Sequence, residues 1–151
     1  MMKPAITNIV LIVFLSSFSL MAQDSGFGLG VILGEPTGIS FKGWLNHKTA
    51  LDCGIAWSFT KNESFHFHAD YLFHSFNVFK SKKGKSLLYY GIGGRVKTTT
   101  KSTIGIRIPV GFSYLFKETP LDIFIELAPL MDLSPKTQFW FTGGVGIRYY
   151  F

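Results

Sequence analysis

From Gln23 onward the chain alternates, residue by residue, between large apolar side chains and small or polar ones. In the last segment one parity carries Phe139, Phe141, Gly143, Val145, Ile147, Tyr149 and Phe151, and the other Trp140, Thr142, Gly144, Gly146, Arg148 and Tyr150. Successive residues of a β-strand point to opposite faces, so a period of two predicts a strand with one apolar face. The same split sets Ile104, Ile106, Ile108, Val110 and Phe112 against Gly105, Arg107, Pro109 and Gly111, and Phe65, Phe67, Ala69, Tyr71 and Phe73 against His66, His68, Asp70, Leu72 and His74. Eight such segments are predicted, at 26–34, 38–45, 50–60, 64–76, 87–97, 103–116, 121–131 and 138–151. The breaks between them, among them Glu35 to Thr37, Lys117 to Pro120 and Asp132 to Thr137, are rich in turn formers and too short to hold helices. The expected fold is all-β: an eight-stranded antiparallel up-and-down transmembrane β-barrel.

Either face of such a sheet can point inward, and the choice decides the solvent. A soluble barrel buries its apolar face and shows the other to water. Here that other face is dominated by Gly, Ala, Ser and aromatics, with few of the Lys and Glu residues that exposed strands carry. Segments of 8 to 14 residues also suit a tilted membrane crossing, which needs about 9–11, better than ordinary soluble strands of about 5–6. The apolar face is therefore expected to point outward into lipid.

Charge placement follows the same division. Arg95, Arg107 and Arg148 all fall on the inward parity, as do Lys42, Asp52, Asp70, Asp122 and Glu126. Charges in a low-dielectric interior must be paired and hydrogen-bonded, and four cations against four anions is the balance a sealed lumen requires. Aromatics close the outward face at both ends of the last segment, Phe139 and Phe141 at one and Tyr149 and Phe151 at the other, as girdles at two lipid–water interfaces would.

The 151 residues, 47% of them apolar, suffice for one domain. No apolar run beyond the first two dozen residues approaches the ~18 of a membrane helix. Residues 1–22 read as a secretory signal, with Lys3, the apolar stretch Ile9 to Leu15 and a small-residue context ending at Ala22, leaving 23–151 as the barrel domain. Cys53 stands alone, so no internal disulfide is expected. The net charge of +6 resides largely in turns, with Lys80, Lys82, Lys83 and Lys85 crowded into one. No nucleic-acid-reading motif surrounds them, so a solvated or phospholipid-facing loop is expected and no nucleic-acid partner.

These residues resemble the small outer-membrane β-barrels, such as the OmpA transmembrane domain and OmpX. The resemblance covers the whole chain after the signal, and its most specific element is the ending Gly-Gly-Val-Gly-Ile-Arg-Tyr-Tyr-Phe151. It implies location in the outer membrane with both termini in the periplasm, and an interior ion-pair network. It also implies a terminal strand, with Tyr149 and Phe151, read by the barrel-assembly machinery. Outer-membrane lipids and that machinery are the expected partners, and a monomer the expected state. The connections at the extracellular end are short, unlike the long loops usual in the family, so adhesion roles that depend on such loops are not carried over.

Eight strands enclose an interior just wide enough for side chains to fill, which disfavours a diffusion pore. The inward glycines are expected to make room for Trp44, Tyr89, Trp140 and the ion pairs. His66, His68 and His74 share a face with Asp70 and raise the possibility of a metal, but hydrogen bonding within the plug is the favoured reading, so no metal or cofactor is expected. No Ser-His-acid grouping is legible, so a structural, anchoring or surface-interaction role is expected and no enzyme. A lipid-modifying membrane enzyme and a soluble lipocalin-like carrier are the alternatives.

Overall fold

The computed structural model describes residues 26–59, 63–76, 78, 79 and 81–151. The expected signal segment, 1–22, lies outside the described residues. Nine strands are formed: β1 (Phe27–Glu35), β2 (Thr37–Trp44), β3 (Thr49–Ser58), β4 (Ser64–Phe76), β5 (Gly84–Thr98), β6 (Ser102–Arg107), β7 (Val110–Phe116), β8 (Leu121–Ser134) and β9 (Gln138–Tyr150). Strands that follow one another in the chain pair antiparallel, except β6 and β7, and β1 closes on β9 from Gly28 opposite Tyr150 to Glu35 opposite Gly143. The ring has eight members, because β6 and β7 occupy one place in it, both between β5 and β8.

The sixth predicted segment is thus interrupted, and Pro109 is the reason: it has no backbone N–H to donate to the ladder. The register does not slip across it. Arg107 lies opposite Gly93 and Val110 opposite Tyr90, three residues on along both strands. Flanking bonds from Gly91 N to Pro109 O (2.9 Å) and from Ile108 N to Pro129 O (2.9 Å) hold the broken strand in place. The alternation of faces therefore runs through the break.

Two boundaries correct the expectation. β5 begins at Gly84, three residues early, because Gly84, Lys85 and Ser86 pair with Phe116, Leu115 and Tyr114. β8 runs to Ser134, through residues that look like a turn, because Asp132 pairs with both Gly105 and Gln138. Ile104 lies opposite Ser134 but Gly105 opposite Asp132, so Leu133 is a bulged residue at this end.

The wall is apolar outside and mixed inside. Ile106, Ile108, Val145 and Ile147 are exposed, whereas Arg107 and Arg148 are buried. Leu72, Leu87 and Leu115 fill the interior towards the rim that carries Phe151, and charged side chains occupy the middle. Inward glycines admit the larger groups: a Cβ at Gly111 would strike the Tyr89 ring, and one at Gly146 the Phe124 ring. Trp140 departs from the expectation. It sits at the opposite rim, about half exposed, with Lys97 Nζ 5.8 Å from its ring centroid, because its position lies beyond the packed part of the interior.

Candidate functional site

The interior charges form three connected groups. Arg148 (β9) is held from two sides. Its Nε and Nη2 each donate to Asp122 (β8) at 3.1 Å, and its Nη1 donates to Asp52 (β3) at 2.9 Å and to Ser40 (β2) at 3.5 Å. Tyr150 OH donates to Asp122 at 2.8 Å, Ser113 Oγ donates to the same carboxylate at 3.2 Å, and the guanidinium stacks on Phe124 with 4.0 Å to the ring centroid. β3 and β9 are separated in the ring by β1 and β2, so the Asp52 bond crosses the interior instead of following the wall.

The second group centres on Glu126 (β8), which accepts from Arg107 Nη2 at 2.5 Å and from Tyr89 OH at 2.9 Å. Arg107 Nε also stands 3.5 Å from Asp70 (β4), an ion pair without hydrogen-bond geometry. The third pairs Arg95 (β5) with Asp132 (β8) at 2.5 Å.

The sequence around Asp132 reads as a turn and leaves it out of the expected inward set, yet it is Asp132 that pairs with Arg95, in place of Asp52, Asp70, Asp122 or Glu126. With Asp132 the buried anions of these groups number five, against the cations Lys42, Arg95, Arg107 and Arg148. Lys42 is fully buried yet pairs with no acid within salt-bridge reach among the described residues. Its Nζ stands 2.7 Å from His74 Nε2 and over the rings of Trp44 and Tyr89, at 4.7 Å and 5.2 Å from their centroids. Although Lys42 and Asp52 are backbone partners in β2 and β3, Asp52 turns to Arg148.

The histidines are spread along the interior. His74 bonds Lys42 and, through Nδ1, the Lys48 carbonyl at 3.2 Å. His66 bonds Ser64 Oγ at 2.8 Å and stands 3.5 Å from Arg95 Nη1. His68 lies 3.8 Å from Asp70. Among the described residues no three His, Cys, Asp or Glu side chains converge as a metal site would require.

Tyr89, expected inside, completes the network together with Tyr150, Ser40 and Ser113, whose only signal in the sequence was their parity. A cavity of about 30 Å³ lies among His66, His68, Arg95, Arg107 and Glu126, about the room one water needs. Tyr149 and Phe151, by contrast, sit at the rim on the outer wall, their rings 5.1 Å apart, with Phe151 N donating to Phe27 O at 2.8 Å.

No protein-family model and no curated protein matches the chain. Among solved structures, the N-terminal β-barrel domain of Pseudomonas aeruginosa OprF superposes with a TM-score of 0.58 over 83% of this chain and 95% of that domain, at 13% identity. The two share a fold. At that identity the likeness speaks for the barrel alone, and the roles of the interior and of the terminal residues rest on their own chemistry.

Proposed function

We propose that the chain is an integral outer-membrane barrel with a structural, anchoring or surface-interaction role and a sealed interior. The observation that carries this reading is the inverted polarity of the wall. Thirty-three large apolar or aromatic side chains are exposed among the described residues, while Arg95, Arg107, Arg148, Asp52, Asp70 and Asp122 are buried. A water-soluble protein rarely exposes a continuous apolar patch beyond a few hundred Å², whereas a bilayer requires such a belt and requires every backbone polar group to be paired, as in a closed ring. The likeness to the OprF β-barrel domain supports the barrel on which this reading rests.

Sealing follows from the charge groups. Arg148 reaches Asp52 across the interior, and Arg107, Tyr89 and Glu126 close the next layer. The test is to refold the chain into lipid vesicles and into a planar bilayer. A folded, protease-resistant barrel that floats with the vesicles and gives no steady ion conductance is expected. Partitioning to the aqueous phase would return the soluble-carrier reading, and a stable conductance would remove the sealed interior.

A further inference from the structure

The β4–β5 connection does not project from its rim as a solvated turn. Among its described residues, Phe79 and Ser81 lie against the outer wall. The Phe79 ring packs edge-on against Phe112, an outer-wall residue of β7, with centroids 6.0 Å apart, and Ser81 Oγ hydrogen-bonds the outer-wall Tyr114 OH at 2.8 Å. Buried Ser86 pins the turn: its Oγ accepts from Phe79 N and donates to Phe79 O, both at 2.7 Å. Even so fastened, Phe79 stays 67% exposed and Val78 42% exposed.

Beside this apolar tip lie Lys82, Lys83 and Lys85, all exposed. Lys83 O accepts from Lys117 N at 2.8 Å, which brings the β7–β8 turn and its own lysine alongside, and Lys85 Nζ lies 5.9 Å from the Phe76 ring centroid. Among the described residues this rim and its turns carry Lys48, Lys82, Lys83, Lys85 and Lys117 against Glu118. At the other rim Lys97, Lys101 and Lys136 are offset by Glu35 and Glu63.

We propose that the described part of the β4–β5 connection is a clamp for anionic phospholipid headgroups, with Phe79 and Val78 seated at the apolar boundary and Lys82 and Lys83 meeting the phosphates. The proposal rests on the membrane reading above and adds a lipid preference to it. Aromatic rings settle at the headgroup level, lysines near a bilayer surface attract anionic lipid, and a long Lys stem keeps its ammonium at the phosphates while its methylenes stay in apolar contact. The segment supplies these elements on one short stretch held against the outer wall, at the height where the Phe112, Tyr114 and Phe116 girdle ends. A purely water-facing turn has no use for an exposed Phe79 ring laid against that wall.

The test uses the refolded full chain in phosphatidylcholine vesicles carrying trace spin-labelled phosphatidylglycerol or spin-labelled phosphatidylcholine, and reads the immobilised fraction of each by electron spin resonance. The wild type is expected to immobilise phosphatidylglycerol preferentially, and salt at about 1 M, where the screening length is ~3 Å, should erode the preference. The double variant Lys82→Gln/Lys83→Gln should lose it, by up to about five-fold for each lysine that reaches the phosphate plane. Lys97→Gln/Lys101→Gln/Lys136→Gln, at the other rim, should retain it. Equal immobilisation of both lipids by the wild type, or a preference untouched in Lys82→Gln/Lys83→Gln, overturns the clamp while leaving the membrane reading intact. A wild type that inserts into neither vesicle removes the membrane reading and the clamp with it. Cross-linked dimers that vanish in Phe79→Ser would assign the segment to a second copy and overturn the lipid assignment.

Discussion

Arg148 and Asp122 lie directly opposite each other on β9 and β8 and close a double hydrogen bond, with 3.1 Å from each donor nitrogen to its carboxylate oxygen. Because the pair is in register, adjacent strands deliver it, and Asp52 is then free to approach the remaining nitrogen from across the interior. One guanidinium thus ties the β8–β9 wall to β3, and both partner carboxylates are spared the cost of burial without a counter-charge.

Removing Asp122 should therefore be severe. Asp122→Ala leaves Arg148 with Asp52 as its one carboxylate and strands Tyr150 and Ser113, and a loss of about 3–5 kcal/mol is expected for breaking a buried pair on one side. Glu118→Ala, in an exposed turn, should stay within about 0.5 kcal/mol. Urea unfolding of both variants in vesicles checks this, and an Asp122→Ala barrel as stable as the wild type would show that the pair contributes nothing.

Two glycines should respond in opposite ways to the same methyl group. A Cβ at Gly30 would run into the β9 backbone at Ile147 and Arg148, which cannot yield without opening the β1–β9 seam, whereas Gly43 has nothing within 4 Å of where its Cβ would stand. Gly30→Ala should cost about 1–3 kcal/mol, as overpacking does, and Gly43→Ala should be close to neutral. The same unfolding assay decides, and equal costs would contradict the close approach at the seam.

Deleting Phe151 should leave export unaffected and impair insertion. The residue is an outer-wall aromatic at the rim, tied to Phe27 through its backbone and to Tyr149 through its ring. Fractionation of cells producing the shortened chain should find it outside the outer membrane. Normal recovery in that membrane would dispose of an assembly role for Phe151.

Loss of the interior histidines should change stability and leave membrane chemistry alone. His66 bonds Ser64 Oγ at 2.8 Å and stands 3.5 Å from Arg95, and His68 lies 3.8 Å from Asp70, all groups of the plug. Lipid extracts from cells carrying His66→Ala or His68→Ala should match those from the wild type by mass spectrometry. A modified lipid that disappears with either substitution would establish an enzyme.

The parity of the chain alone determined the fold class and the sidedness of most strands, because side chains in a strand alternate whatever the partner strands do. That is why Ile106, Ile108, Val145 and Ile147 could be set apart from Arg107 and Arg148 without coordinates. Alternation carries no information on stagger. Only the closed ring decided that Asp52 crosses to Arg148 while its own backbone partner Lys42 turns to His74, since that depends on how far each strand slides past the next. Local composition misled where it imitates a turn. Asp132 precedes Leu-Ser-Pro and reads as a break, yet pairing with Gly105 and Gln138 keeps it in β8 and turns its carboxylate inward to Arg95. The lysine-rich segment after β4 was legible as a connection, but only tertiary contacts with Phe112 and Tyr114 decided that it lies against the wall, because nothing in a turn's own sequence specifies the surface on which it comes to rest.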